Sequence, residues 1–158
     1  MATTKHDVDD FLAQKSLAIV GVSRGGKKFG NAVLKDLTKH GYRVFPIHPE
    51  ARELDGVPAY PSFDALPEPV GGVIIVVPPA RAEGVVRDAA AQGIKRVWFQ
   101  QGAASADAIK YCQDRGMSVV HGQCVLMFPK PSTSWIHSAH RWVWELIGRA
   151  PKDVTRRG

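Results

Sequence analysis

The sequence is poor in cysteine and in long apolar runs. Its 158 residues include 2 cysteines, too few for the disulfide framework of a small secreted domain. No apolar run approaches the roughly 20 residues of a membrane-spanning helix. The N-terminal stretch MATTKHDVDDFLAQ is polar and contains acids, unlike a signal or transit peptide. We therefore expect a reduced, cytoplasmic protein that does not associate with membranes.

The composition suits a globular domain with anionic partners. Hydrophobic residues make up 44% of the chain, and about 150 residues bury roughly 70% of the surface of the unfolded chain. The net charge of +6 favours nucleotides, cofactor phosphates or nucleic acid as partners. We expect one domain over residues 1–131. Over residues 132–158 we expect an aromatic-rich helix and a basic tail, packed on the same domain or on a second subunit.

Apolar strands alternate with amphipathic helices along the chain. This alternation predicts an α/β fold, a Rossmann-like doubly wound parallel sheet of about five strands. We expect the strand order 3-2-1-4-5 and a ligand site beyond the carboxyl ends of the strands, beside strand one. Residues 48–62 are interpreted as a long irregular connection. The predicted strands are 16–22, 42–47, 72–77, 95–100 and 117–122, and the predicted helices are 7–14, 30–41, 80–93, 105–116 and 134–151.

The stretch VGVSRGGKKFGNAVL, residues 20–34, has the build of a phosphate cradle. It joins the end of a strand to the start of a helix through a loop rich in glycine and lysine. Helix N-termini bind anions because free N–H groups and the helix dipole both face the ligand. Glycines let the backbone approach a phosphate closely, the serine can donate its hydroxyl, and the cations add charge. The candidate residues are Gly21, Ser23, Arg24, Lys27, Lys28 and Gly30.

Two common phosphate-binding signatures do not fit this loop. The dinucleotide fingerprint G-x-G-x-x-G needs glycine where Ser23 stands, and an acid at the tip of the second strand. At that tip His48 and Pro49 precede the first acid, Glu50. The spacing after Gly21 also excludes a Walker loop. An NAD(P)-dependent oxidoreductase using the same cleft remains as the alternative function.

Several stretches are informative together: IVGVSRGGKKFGNAVLKDL, GYRVFPIHPEARELDGVPAYPSFDALPEPV, VIIVVPP, VWFQQGA and GMSVVHGQCVLMFP. In order and spacing they resemble the CoA-binding domain family over residues 10–131. This Rossmann-like domain occurs in the succinyl-CoA synthetase alpha subunit and in small stand-alone bacterial proteins. The resemblance implies coenzyme A as the cofactor, with its diphosphate on the first loop. By position it implies Gly21, Ser23, Arg24 and Gly30 at the phosphates, Pro46, His48 and Pro49 around the adenosine, Val77, Pro78 and Pro79 beside the pantetheine, and Gln101 and Gly102 at its far end.

One position departs from the family pattern. A basic residue commonly follows the proline after strand two, and here that place holds Glu50. We expect Arg52, Lys27 or Lys28 to meet the 3′-phosphate instead. The synthetase's phosphorylated histidine lies in a second domain that the present sequence does not include. The resemblance therefore implies a protein that binds CoA or acyl-CoA without catalysis of its own. Such a protein stores, senses or presents CoA, or serves a partner enzyme that is not known.

Other candidate groups have simpler interpretations. Cys124 could form a mixed disulfide with the CoA thiol, although a buried cysteine is usually a small hydrophobe. His137 and His140 share a helical face, but a metal site needs three or four converging ligands. The segment HRWVWELIGR is typical of a docking helix, which makes a homodimer worth testing. A nucleic-acid surface is the less favoured interpretation of that segment.

Overall fold

The computed structural model describes residues 3–128. The predicted C-terminal unit, residues 132–158, lies outside the described residues, as do His137 and His140. Short 3-10 turns cover Phe63–Ala65 and Val125–Met127. The helices are α1 (Lys5–Leu12), α2 (Phe29–Lys39), α3 (Pro79–Ala91) and α4 (Ala106–Asp114). The strands are β1 (Ser16–Val20), β2 (Arg43–Ile47), β3 (Glu53–Leu54), β4 (Val57–Pro58), β5 (Gly72–Ile75), β6 (Arg96–Gln100) and β7 (Ser118–Gln123).

The five long strands form one parallel sheet in the order β2-β1-β5-β6-β7. The α/β class and the five-stranded parallel sheet are thus confirmed. When the long strands are numbered in chain order, the observed order is 2-1-3-4-5, which corrects the expected order 3-2-1-4-5 at one place. The third long strand lies beside the first, and the second is left at the edge of the sheet. Pro46 supplies the physical reason: proline has no N–H to donate and is confined to sheet edges and bulges, and in the sheet β2 pairs only with β1. The switch point remains beside β1 in this order too.

Side chains of the strands alternate between two apolar layers. Leu17 and Ile19 of β1 belong to the layer that includes residues of α1 and α2. Ala18 and Val20 belong to the layer of α3 and α4. Period-two alternation of a strand places successive side chains on opposite faces of the sheet. The predicted covering of the sheet by helices on both faces is therefore present.

A short hairpin occupies part of the connection that the sequence analysis interprets as irregular. Strands β3 and β4 pair antiparallel and are joined by Asp55 and Gly56 alone. Both turn residues have positive φ, 50° and 79°, as a type I′ turn requires, and Asp-Gly is a preferred sequence for that turn. An isolated parallel bridge between Ile47 and Tyr60 continues from the end of β2. The hairpin is thereby held close to the carboxyl edge of the sheet.

The buried phenol of Tyr42 and the buried thiol of Cys112 are expected to make the protein less stable at high pH. Burial, with a contribution from Asp36, raises the pKa of Tyr42 from 10.0 to about 12, and burial raises the pKa of Cys112 from 9.0 to about 11. Both groups are favoured in their protonated form in the folded state. Their contribution is therefore complete below the unfolded pKa values and is lost as pH rises through the folded ones. We expect the free energy of unfolding to fall between about pH 9 and 12, by on the order of 2 kcal/mol for each group.

Urea denaturation at a series of pH values measures this loss. In the Tyr42→Phe variant the decline above pH 10 should be shallower, because that variant has no phenol to ionise. An identical decline in both proteins would contradict the assignment to Tyr42.

Candidate anion-binding cleft

A cavity of about 780 Å³ lies beside β1, past the carboxyl ends of β1, β2 and β5. Its volume is typical of small-molecule and cofactor sites. Five segments form its wall: the loop after β1, the residues after β2, the turn around Phe63, the residues after β5, and α3. This is the position that the switch-point rule predicts. The sequence-predicted residues that line it are Gly21, Ser23, Arg24, Lys28, His48, Pro49, Val77 and Pro78.

The other predicted residues occupy different places. Pro46 and Gly30 are buried, the first inside β2 and the second in the first turn of α2. Lys27 and Arg52 are exposed, and Pro79 begins α3. Gln101 and Gly102 are exposed after β6 and do not line this cavity. Wall residues that the sequence analysis did not identify include Ser62, Phe63 and Asp64 of the turn, Arg81, Val85, Asp88 and Ala91 of α3, and Gln92 at the C-cap of that helix.

Gly21 and Gly30 allow three stretches of backbone to meet at the base of the loop: the end of β1, the start of α2 and the segment after β5 at Val76. A β carbon on Gly21, whose φ is +118°, would lie 2.3 Å from the carbonyl oxygen of Val76. A β carbon on Gly30 would lie 2.3 Å from the carbonyl oxygen of Gly21. Real β carbons essentially never come within 3.0 Å of such atoms. In the structure these glycines therefore bring the start of α2 against the end of β1, a packing role that the sequence analysis does not predict.

Asn31 holds the loop through its side-chain amide, and the residue is almost fully buried, at 1% exposure. Its Oδ1 accepts hydrogen bonds from the backbone N–H of Ser23 (3.0 Å) and from the Ser23 hydroxyl (2.9 Å). Its Nδ2 donates to the carbonyl oxygen of Ser23 (2.9 Å) and to Oδ2 of Asp55 (2.8 Å). The hydroxyl hydrogen of Ser23 is thus engaged inside the protein. In the structure this hydroxyl donates to Asn31, and Ser23 still lines the cavity.

The loop is positively charged at the mouth of the cavity. Arg24 and Lys28 both line the cavity and are exposed. Lys28 is the N-cap of α2 and makes no side-chain capping bond. The first N–H groups of a helix have no acceptor within the helix, so the start of α2 offers donors as well as the positive end of its dipole. An anion at this place would meet both.

Glu50 lies against the cationic loop. One of its carboxylate oxygens is 3.2 Å from a guanidinium nitrogen of Arg24, and both side chains are about two-thirds exposed, at 67% and 65%. The residue that departs from the family pattern therefore pairs with a cation of the predicted phosphate loop. Such exposed pairs contribute little to stability, so this one can open when an anionic ligand arrives.

His48 has a fixed tautomer at the edge of the cavity. Its Nδ1 accepts hydrogen bonds from the backbone N–H groups of Glu50 (3.1 Å) and Ala51 (3.0 Å). A ring nitrogen that accepts carries no proton, so the ring proton sits on Nε2. His48 therefore brings one N–H donor to the lining of the cavity.

The two cysteines lie outside the wall of the cavity. Cys112 is fully buried in the core, as expected. Cys124 is 7% exposed and is not among the residues that line the cavity. Within residues 3–128, no three His, Cys, Asp or Glu side chains converge as they would around a metal ion. Within the same range, no helix has the length and apolar character to cross a membrane.

A family model described as the CoA binding domain matches residues 15–128. This range contains the loop, the hairpin and the whole five-stranded sheet. The chain belongs to the CoA-binding domain family. The resemblance that the sequence analysis identified is confirmed.

Relatives of this CoA-binding-family chain include enzyme subunits and small proteins. It is 33% identical over 91 residues to the alpha subunit of the ADP-forming acetate–CoA ligase II of Pyrococcus furiosus. This match covers 57% of this chain and 20% of that subunit. It is 24% identical over 123 residues to YneT of Bacillus subtilis, covering 77% of this chain and 91% of YneT. A solved structure of a conserved hypothetical protein from Pyrococcus furiosus matches with a TM-score of 0.66 and 35% identity, covering 70% of this chain and 96% of that one. The chain thus spans about a fifth of the ligase subunit and nearly all of the two small proteins.

Proposed function

We propose that this chain is a CoA-binding module that holds CoA or acyl-CoA in the cavity beside β1 and does not catalyse a reaction by itself. One observation carries the proposal: the uncapped start of α2 and the cationic loop open onto a cofactor-sized cavity in a chain of the CoA-binding domain family. The diphosphate would bind at the loop, where helix N–H groups and cations combine.

The chemistry of the cavity wall agrees with the other parts of CoA. His48 and Pro49, after β2, would face the adenosine. Val77 and Pro78, after β5, together with Val85 of α3, offer an apolar surface to the pantetheine arm. The volume of about 780 Å³ suits a ligand of this length when one end stays open to solvent. In this arrangement the charged and the apolar parts of the wall match the charged and the apolar parts of the ligand.

Titration calorimetry with CoA, dephospho-CoA, NAD and NADP at two salt concentrations tests this function. We expect CoA to bind, and to bind more weakly at high salt because phosphate contacts are screened. Weaker binding of dephospho-CoA would identify a contact to the 3′-phosphate, for which Arg52, Lys27 and Lys28 are the candidates. Binding of NAD or NADP without binding of CoA would overturn the proposal in favour of an oxidoreductase.

Glu50 is expected to weaken CoA binding, because its carboxylate competes with the ligand for Arg24. The Glu50→Gln variant should bind CoA about 2- to 5-fold more tightly at low salt, in line with the ~0.4–1 kcal/mol of an exposed ion pair. The gain should shrink as salt rises. Calorimetry of the two proteins at 20 and 300 mM salt measures both effects.

Glu83→Gln is the matched control. Glu83 pairs with Arg87 on α3, and neither residue lines the cavity. The control changes the net charge by the same amount as Glu50→Gln. An equal gain in affinity in both variants would assign the effect to net charge and not to Arg24.

A further inference from the structure

The loop between β1 and α2 has little internal structure to define its shape. It contains two glycines with positive φ, Gly21 (118°) and Gly26 (71°). Its one internal backbone hydrogen bond among the described contacts is long, from the N–H of Gly26 to the carbonyl of Ser23 at 3.4 Å. The four hydrogen bonds of the Asn31 amide are shorter, at 2.8–3.0 Å, and three of them go to Ser23. The conformation of the loop therefore depends on Asn31.

The fourth of these hydrogen bonds comes from a distant part of the chain. Asp55 belongs to the β3–β4 turn and, in the described part of the chain, is the non-glycine residue with positive φ. Its Oδ2 accepts from Nδ2 of Asn31 across 24 positions of sequence. Its Oδ1 would lie 3.4 Å from a β carbon on Gly26. The turn thus lies against the loop in two places.

Asp55 and the backbone of Ser23 together fix which way the Asn31 amide points. Both the carbonyl of Ser23 and the carboxylate of Asp55 are acceptors, so the NH₂ group must face them. The amide oxygen is then left to face the two donors of Ser23. A flipped amide would set donor against donor at the backbone N–H of Ser23 and acceptor against acceptor at the Ser23 carbonyl and at Asp55. Only the Ser23 hydroxyl, which can accept as well as donate, would adapt to it. The carboxylate in the hairpin therefore supports the same amide orientation that the backbone of Ser23 requires.

We infer that Asn31 is a positioning residue for the diphosphate-binding loop and that Asp55 holds it in the required orientation. The inference rests on the proposed function, because the ligand group concerned is the diphosphate of CoA. Asn31 is buried beneath the loop and acts through Ser23. By drawing both donors of Ser23 inward, it leaves the anion to the start of α2 and to the cations of the loop. The β3–β4 hairpin is thus part of the binding site without touching the ligand.

Exchanging the amide of Asn31 and the carboxylate of Asp55 between the two positions tests the inference. In Asn31→Asp two carboxylates face each other, and the donor to the carbonyl of Ser23 is lost. We expect the affinities for CoA and for ADP to fall by the same factor, at least 10-fold, at a temperature where the variant is fully folded. In the double variant Asn31→Asp with Asp55→Asn, a donor again faces an acceptor between the two positions. We expect this exchange to recover at least part of the lost affinity.

Two single variants complete the design. Asp55→Asn keeps an oxygen acceptor for Asn31 and suits a positive φ, so its affinity should stay within about twofold of the parent protein. Asp55→Gly keeps the turn conformation without an acceptor and should lose 3- to 10-fold. It also keeps the test open if Asn31→Asp does not fold.

The outcomes separate the inference from the function on which it rests. If the parent protein does not bind CoA, the proposed function fails. If it binds CoA and the folded Asn31→Asp and Asp55→Gly variants bind equally well, Asn31 has only a structural role and the inference fails. If the double variant recovers the melting temperature but none of the affinity, Asp55 does not act on binding, and that part of the inference fails.

Discussion

Reversing the charge of Lys28 is expected to reduce the affinity for CoA by about 30-fold or more while leaving the fold at least as stable. The substitution Lys28→Glu changes the charge at the mouth of the cavity by two units, where the diphosphate is proposed to bind. Even at the dielectric constant of water, a pair of unit charges ~4 Å apart interacts by about 1 kcal/mol. A change of two charge units is therefore worth about 2 kcal/mol, which corresponds to about 30-fold in affinity. Stability should not fall, because Lys28 makes no side-chain capping bond and an acid at a helix N-terminus interacts favourably with the dipole.

Lys39→Glu, in the last turn of the same helix, is the matched control. It lies about 16 Å along the helix from Lys28, beyond the Debye length of about 8 Å at physiological salt. The expected pattern is reversed: affinity within twofold of the parent, and stability lower by about 0.3–1 kcal/mol because an acid meets the negative end of the dipole. Calorimetry and thermal denaturation of both variants measure the pattern. Equal losses of affinity would remove the loop from the binding site.

A single methyl group on Gly30 is expected to destabilise the protein by about 3 kcal/mol. The β carbon of Gly30→Ala would lie 2.3 Å from the Gly21 carbonyl oxygen and 3.1 Å from the backbone nitrogen of Val22. These neighbours are backbone atoms, so relief requires α2 to move away from the end of β1. Overpacking in a close-packed interior costs about 1–3 kcal/mol, and more when the backbone has to shift.

Gly84→Ala is the matched control, because it is the same substitution at a position that has space for a β carbon. Gly84 lies inside α3, is exposed, and a β carbon there meets nothing within 4 Å. Replacing glycine by alanine in a helix interior stabilises by about 0.5–1 kcal/mol. Urea denaturation should therefore give effects of opposite sign for the two variants. A stabilised Gly30→Ala protein would show that the approach of α2 to Gly21 is not as close as described.

The parts of the fold that depend on local pattern were predictable. All five long strands were found within about two residues of their observed ends. Ser105 caps α4 as its sequence indicates. The cavity lies at the switch point, where parallel topology requires it. The order of the strands is a property of tertiary packing, yet Pro46 already carried the information, because a proline in the middle of a strand indicates an edge.

Other features had weaker signals or none. The dipeptide Asp55-Gly56 is a strong hairpin signal, but strands of two residues on either side leave no alternation to recognise. Asn31 looks like an ordinary polar residue of α2, since its partner Asp55 is fixed only by the folded hairpin. The α3 wall of the cavity likewise depends on the placement of β5 beside β1.

The position of β2 at the edge of the sheet bears on aggregation. An open edge strand is a template on which another chain can add a strand. The outer edge of β2 has no backbone N–H donor at Pro46. The carbonyl of Pro46 already accepts a hydrogen bond from the N–H of Tyr60 (2.9 Å). The carbonyl of Tyr60 in turn accepts from the N–H of His48 (2.8 Å). At the opposite edge, the hydroxyl of Thr3 both accepts from the N–H of His121 (2.9 Å) and donates to its carbonyl (3.1 Å). Both margins of the sheet are thus partly covered by segments that are not part of it, which disfavours the addition of a further strand at these positions.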